Sequence, residues 1–425
     1  FVNAGHIDFT DVAGSTDDSL MVYGDFNSDG GELTIDVDGA EGDNDSLTIS
    51  GDLQGTTVIN ALIHSIPHAT DSFSVDVIDV EGTQEGTATA GTITWAADSL
   101  FDWQANMHGA AEITSDGTLD FSIESLSDAG VAMTSIAPAL QGLWHQSIGT
   151  LAQREGVLRT TGDGSVSLWM RAFGQSGDVE VSNSRDSNSN FGLDVDGWET
   201  GVQVSLTDAV SIGLIAGESN GDFDTSHGAG DGSFDGDTLG GFIQYRTDKL
   251  VAEFSYREMD FDGRVVSGAL SEQVKGSIDG YNVELGYTFE LESGLKIQPQ
   301  FQLTEANLDF DNLANVATTY GYFTQHEGDS VRSRFGVMVS RDYVSGDDRW
   351  TPHVTLSSVY EGDAANDYEI NGLQGAADAS GTSMALELGI SGTVGQAVFF
   401  GGLNYLDGGM NDAITGVQAG FKFRF

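Results

Sequence analysis

Several short stretches of this chain carry side chains that could do chemistry. Asp25-Phe26-Asn27-Ser28-Asp29-Gly30, with Asp36 at the twelfth position, spells most of a calcium loop, in which spaced oxygen ligands and a glycine turn wrap a hard cation. Calcium held by Asp25, Asn27, Asp29 and Asp36 is the one cofactor the sequence offers. Against it, the closing bidentate Glu is replaced by Asp and no helical pattern flanks the stretch, so an ordinary Asp/Asn/Gly turn between strands is the favoured reading of the same residues. Gly42-Asp43-Asn44-Asp45 stands on the same footing. Gly217-Glu218-Ser219-Asn220-Gly221 matches the G-x-S-x-G spelling of a serine nucleophile, but it follows a strand into a Gly/Asp-rich stretch and not a strand-to-helix elbow. His326 and His353 could be matched with serines to argue for a hydrolase, while His6, His64, His68, His108, His145 and His227 show no metal-ligand spacing. No catalytic constellation emerges, and the chain is not expected to be an enzyme.

The elements around these residues must come from an unusual composition. The 425 residues include 57 Gly, 4 Pro and no Cys, which excludes disulfides and thiolate metal sites and suits an all-β chain rich in turns. A formal charge of −50 excludes nucleic acid as a partner, because phosphate binding needs clustered Lys and Arg. Much of the acid falls in Gly/Asp-rich stretches such as 220–237, where a solvated surface, a saline habitat or surrounding divalent cations would make it tolerable. No run of ~18 apolar residues offers a transmembrane helix. The opening Phe1-Val2-Asn3-Ala4 carries no signal peptide, so for an exported protein a processed or truncated start is expected.

Three segments follow. Residues 1–135 carry short β-prone runs between Gly/Asp turns, at Ser19–Tyr23, Glu32–Val37, Ser46–Ser50, Thr56–Leu62 and Ser72–Val80. Their irregular spacing fits a β-solenoid whose rungs bury apolar side chains against one another, though no clean repeat is visible. Over 137–160 the pattern changes: Leu140, Leu143, Trp144, Ser147, Ile148 and Leu151 recur at helical spacing behind Pro138. A continuous helix there would span ~36 Å, about a membrane thickness, yet its Gln, His, Arg and Glu cannot face lipid. The domain limits expected are 1–135, 136–162 for the linker helix, and 163–425.

From Gly164 onward the period is two. In Leu295–Thr304, Leu295, Ile297, Pro299, Phe301 and Leu303 face one way, and Lys296, Gln298, Gln300, Gln302 and Thr304 the other. Twelve such strands start near Ser165, Trp198, Val210, Leu239, Leu250, Tyr281, Leu295, Val331, Arg349, Ser383, Ala397 and Ile414. Short turns alternate with long stretches near 177–195, 220–236, 261–278, 309–328, 361–380 and 407–412, all expected to be loops. Even strand number, apolar-out and polar-in alternation, and loops long on one side only predict a 12-stranded antiparallel transmembrane β-barrel. Only a closed barrel lets strands satisfy every backbone group in lipid. A soluble sandwich or lipocalin-like barrel is the competing reading, disfavoured by the Lys, Gln and Glu on the second face. The last strand ends Gly416-Val417-Gln418-Ala419-Gly420-Phe421-Lys422-Phe423-Arg424-Phe425, with Phe421, Phe423 and Phe425 outward.

Both barrel ends fall on the short-turn side, so the helix enters strand one from the periplasmic mouth. The lumen of twelve strands leaves room for about one helix. Inward parity places Arg171, Glu199, Glu253, Arg257, Glu284, Arg332, Arg334, Glu387, Lys422 and Arg424 in that lumen. Some of these are expected to pair with Arg154, Glu155 and Arg159 and seat the helix, the alternative being that they merely solvate a wet channel. On the seating reading, replacing Glu253 and Glu284 by Ala raises pore conductance.

At this point the chain resembles a known family. The stretches GLWHQSIGTLAQREGVLR, SLWMRAFGQSGDVE, FIQYRTDKLVAEFSYREMDFDGR, SGLKIQPQFQLTEANLDFD, DSVRSRFGVMVSRDY and AGFKFRF look like the β-domain of classical (type Va) autotransporters, over roughly residues 137–425. Residues 20–125 more loosely resemble the autochaperone end of a passenger. The resemblance implies an all-β fold: a barrel with a lumenal α-helix, preceded by a β-solenoid-like passenger segment on the cell surface. It also implies an outer-membrane lipid environment and a monomeric barrel. Insertion would be by the barrel-assembly machinery, with periplasmic chaperones, reading Phe421, Phe423 and Phe425. Some members cleave themselves at an Asn in the helix; 137–160 contains none, so the passenger is expected to stay attached. An outer-membrane channel or porin with a soluble N-terminal domain, and an outer-membrane hydrolase, are the alternative functions. Any effector portion is expected upstream of Phe1.

Overall fold

The computed structural model describes residues 1–425 except 12–13, 67, 96–98, 109–116, 159–164, 187–188, 227, 229, 319–320 and 327. The chain forms two compact units. One is Phe1–Gly130 with the short pieces Ala317–Tyr322 and Glu369–Gln374, and the other is the remainder.

The first unit is a coil of parallel strands. One parallel stack includes β2 (Phe26–Asp38), β4 (Leu53–Ser65) and β6 (Thr87–Trp95), and a second includes β1 (Ser19–Val22), β3 (Ser46–Ile49) and β5 (Ser72–Val80). Alternate side chains such as Leu33, Ile35 and Val37 of β2 and Ile59, Ala61 and Ile63 of β4 fill its interior. The repeat that the sequence hides is a corner. Gly24-Asp25, Gly51-Asp52 and Gly82-Thr83 stack on successive turns, with the Asp52 N–H donating to Asp25 Oδ1 (3.0 Å) and the Thr83 N–H to Asp52 Oδ1 (2.7 Å). Glycine is required because a Cβ on Gly51 would stand 2.4 Å from the Gly24 carbonyl carbon. The last two strands, β7 (Phe101–His108) and β8 (Gly117–Leu126), turn antiparallel onto β5. Aromatic packing closes that end, with Phe73 stacked on Phe121 at 4.5 Å and Trp95 6.1 Å from Trp103.

The second unit is a closed barrel of twelve strands: β9 (Val166–Val179), β10 (Phe191–Ser205), β11 (Val210–Thr225), β12 (Gly230–Arg246), β13 (Leu250–Ser267), β14 (Leu270–Tyr287), β15 (Leu295–Phe310), β16 (Gly328–Arg341), β17 (Asp348–Gly362), β18 (Gly381–Val394), β19 (Ala397–Gly408) and β20 (Asn411–Arg424). Closure comes from β20 against β9, with Phe421 opposite Met170, Phe423 opposite Leu168, and the Phe425 N–H donating to Val166 O (2.9 Å). Among the described residues no helix is long and apolar enough to cross a membrane, which says nothing about strands.

Every predicted strand exists, but several run further than expected. The stretches 220–236 and 261–278, expected as loops, are mostly strand. β13 and β14 have 18 residues each and join through Gly268-Ala269, with Gly268 at φ 58°. A membrane crossing needs only ~9–11. The extra length keeps the two-residue period but exchanges its faces. Along β13, Phe254 and Tyr256 point out while Glu253, Ser255 and Arg257 point in; beyond them Glu258, Asp260 and Asp262 point out while Met259, Phe261 and Val265 are buried. β15 switches in the same way between Leu303 and Glu305 on its outer face, and between Thr304 and Ala306 on its inner one. The apolar outer belt therefore ends at Trp198, Leu239, Tyr256 and Tyr281, an aromatic-rich edge of the kind that marks a membrane boundary. Above it the barrel is a water-soluble β-structure with an apolar core.

The helix also departs from expectation. It begins at α1 (Asp128–Thr134), continues as α2 (Ile136–Ile148), and resumes as α3 (Leu151–Glu155). Pro138 has no N–H to give the Thr134 carbonyl and its ring crowds that oxygen, which accounts for the lapse at Ser135. Gly149, at φ 59°, ends α2. The break at Gly149 falls within 137–160, so that stretch is not the one continuous helix expected of it.

The position of the belt is testable. Leu214 is 68% exposed on the apolar face of β11, whereas Asp222 lies above the edge on the same strand. Leu214→Arg is expected to cost about 2–4 kcal/mol of barrel stability, and Asp222→Arg close to nothing. Urea titration of the reconstituted barrel, read by heat-modifiable gel mobility, measures both.

Candidate functional site

The lumen holds the chain's own helices, with open space left beside α3, and the wall holds them at three levels. At the lowest, Arg154 of α3 pairs with Glu253 of β13, and Glu155 accepts from Lys422 of β20 at 2.7 Å. Gln244 of β12 donates to both Glu253 (3.0 Å) and Glu155 (3.3 Å), and Gln153 donates to Glu387 of β18 (3.2 Å). Beside them Glu199 of β10 is shared by Arg171 (2.8 Å) and Arg257. These groups are buried, and cations and carboxylates balance. A buried pair adds little net stability, but removing one partner leaves the other unpaired in a poor solvent. Such a network therefore fixes position.

The middle level reads the break between α2 and α3 through its main chain. Arg171 donates to the Ser147 carbonyl, one of the orphan acceptors at the end of α2, and Gln302 of β15 donates to Gly149 O at 2.9 Å. Glu284 of β14 accepts the Leu151 N–H at 2.8 Å, at the start of α3. Thr150 and Gln153 add a capping box, with the Thr150 N–H donating to Gln153 Oε1 at 2.8 Å. A side chain on Gly149 would collide with Arg171, its Cβ 2.4 Å from Nη1, so glycine serves both the turn and the approach of the cap.

The upper level is mixed. Gln141 and Asn366 exchange amide hydrogen bonds of 3.0 Å, and Trp144 Nε1 donates to Glu305 O (3.2 Å). His145 Nε2 meets Ser330 of β16 at 2.6 Å and Glu361 of β17 at 3.3 Å, with Arg332 on the far side of the same carboxylate. This is not a hydrolytic triad, because serine and carboxylate share one imidazole nitrogen instead of occupying opposite ones.

Of the seating residues expected from parity, Arg154, Arg171, Glu199, Glu253 and Glu284 meet in one cluster. Arg332 pairs with Glu361, and Arg334 lies 4.0 Å from Glu387. Arg159 falls outside the described residues. Glu361, His145, Gln141, Gln302 and Gln244 were missed. Glu361 shares the inward parity of His353 and Ser357, but the sequence assigns it to a loop. Phe421, Phe423 and Phe425 stand on the outer face, the last two rings 5.0 Å apart. Gly217–Gly221 lies within β11, with Ser219 buried and inward, so it is no elbow. Asp25 and Asp36 lie at opposite ends of an extended strand, and Asp36 accepts from the Asp11 N–H (2.9 Å) and meets His64 (2.6 Å), so the four candidate calcium residues do not wrap into a loop.

The family model of the autotransporter β-domain matches residues 168–405. The chain belongs to this family. Among solved structures, the transport unit of autotransporter AIDA-I from Escherichia coli is 15% identical with a TM-score of 0.50, covering 68% of this chain and 99% of its own. The β-domain of the Bordetella autotransporter BrkA (16% identity, TM-score 0.49, covering 62% and 100%) and the translocator domain of NalP from Neisseria meningitidis (14%, 0.48, 70% and 100%) are also similar. No curated protein matches the chain. The barrel is thus the outer-membrane translocator of a type V secretion protein, a channel and not a catalyst.

The lower network gives a prediction. Glu253→Ala is expected to destabilise this autotransporter's barrel by about 3–5 kcal/mol, by stranding Arg154. Replacing Arg154 and Glu253 together by Leu should recover most of that loss in the same urea titration.

Proposed function

We propose that this autotransporter exports the coil of residues 1–130 and keeps it on the cell surface, joined through the lumenal helix. The observation that carries the reading is the direction of the helix. Gln141 lies at the long-loop end of the barrel, beside Asn366 and the Asp329 carbonyl. Glu155 lies near the short-turn end, beside Lys422. The chain that enters β9 from the periplasmic side has therefore come down the lumen, which supports an exit at the outer mouth for the chain ahead of α1. The absence of Asn from 137–160 supports a passenger that stays attached.

The partners of this reading are outer-membrane lipid along the apolar belt, and the barrel-assembly machinery with periplasmic chaperones during insertion. Phe421, Phe423 and Phe425 would be the terminal signal. One barrel suffices, and neither cofactor nor nucleic acid is required.

Intact cells provide the test. Trypsin has no site ahead of Arg154, so proteinase K is the reagent. It should remove the coil from unbroken cells and leave a protected barrel, while untreated outer membranes show one full-length band. A coil cut only after the outer membrane is opened, or a processed barrel starting inside 137–160, would overturn the reading. Deleting Phe425 should lower the amount of inserted barrel.

A further inference from the structure

The projecting part of the barrel has two properties that the export reading does not use. Inside, it is an apolar collar around the plug. A Cβ on Gly142 of α2 would stand 2.6 Å from Leu193 of β10, Leu143 packs over Gly221 of β11, and Ala132 over Gly230 of β12. Phe191, Phe223 and Phe234 continue the layer, with centroids 5.7 and 5.8 Å apart. Outside, the same strands carry carboxylates in direct opposition. Asp194 faces Asp222, Glu218 faces Asp237, and Asp224 faces Asp231. Asp235 faces Asp262, Asp237 also faces Asp260, and Glu258 faces Asp279. Arg264 and Lys275 are the cations on that face, opposite Ser233 and Asp262. Like charges placed directly across a strand pair oppose pairing. Partial burial, with Asp196, Asp194, Asp224 and Asp235 around it, holds the Asp222 carboxyl above its usual range.

We infer that the projection is an ionic-strength-dependent grip: dissolved ions screen the outer carboxylates, the strands close on the plug, and the pore seals. Distances set the salt range. Opposed side chains start ~4.5–5.5 Å apart. The screening length is ~30 Å at 0.01 M salt, ~10 Å at 0.1 M and ~3 Å at 1 M. Neighbouring carboxylates therefore repel through most of the dilute range and are screened only toward molar salt. The ion pairs of Arg154 and Glu155 lie lower, buried and away from bulk ions, so they keep the helix in register at every salt concentration while the collar loosens or tightens above them.

The inference rests on the reading that the helix plugs the mature pore, and the test separates the two. The full chain is placed in liposomes, and influx of a neutral sugar is followed by swelling at low and high NaCl. Wild type is expected to admit the sugar about tenfold faster at ~0.02 M than at ~1 M NaCl, where screening is nearly complete. Sucrose at the osmolality of the high salt should not seal it. The variant Asp222→Asn/Asp235→Asn/Asp237→Asn/Asp260→Asn should stay sealed at both concentrations, its folding checked by heat-modifiable mobility. Deleting 131–155 should leave the pore open in both. Equal wild-type influx at the two salts beside an open deletion overturns the grip alone. A seal by sucrose, or a salt response kept by the neutralised barrel, overturns it as well. A deletion no leakier than wild type overturns the plug reading and the grip with it.

Discussion

A strand that passes from hydrocarbon into water must exchange the faces on which its apolar and polar side chains stand. Inside the bilayer the outer face meets lipid and the lumen can be wet; above it the outer face meets water, and only the interior can hold a core. β13 and β15 make the exchange within one dipeptide step, between Tyr256 and Glu258 and between Leu303 and Glu305. The other features of the barrel follow from where this step falls. Below it the wall can offer Glu253, Glu284, Arg171 and Lys422 to a buried helix. Above it the wall offers Leu193, Phe223 and Phe234. The plug is built to match, with Arg154 and Glu155 low and Leu143 and Trp144 high.

The way the wall holds the plug explains why such a helix need not be regular. A continuous helix presents only side chains, since its backbone groups are used internally. The interruption at Gly149-Thr150 exposes the last carbonyls of α2 and the first N–H groups of α3. Arg171, Gln302 and Glu284 then satisfy atoms that every residue type possesses. The break is thus a docking feature, and the ion pairs around it add position more than stability.

Much of this architecture was legible from the period-two pattern. It gave the number of strands, their inward charges and the outward parity of Phe421, Phe423 and Phe425 on the closing strand, because lipid enforces alternation residue by residue. It lost the projections of β11 to β14, since Asp and Gly at high density usually mark turns, and the alternation of Asp222, Phe223 and Asp224 has its hydrophobic side reversed. Glu361 was lost to the same cause at the end of β17. The helix was found by its spacing, but not its ends: the effect of Pro138 on the Thr134 carbonyl and of Gly149 on α2 depends on contacts that no spacing records. In the coil, the repeat escaped notice because its turns differ in length, and only the corner is common to them.

That corner has a consequence for how such a coil can change. Asp25 offers its carboxylate to the next turn and Asp52 does the same for the turn after, while the interior asks only for alternation. Correct stacking is thus decided at one edge, and the rest of each turn is free to vary in length and content. A coil of this kind behaves like a ruled page: the margin is fixed, and new lines of different wording can be inserted without resetting those already written.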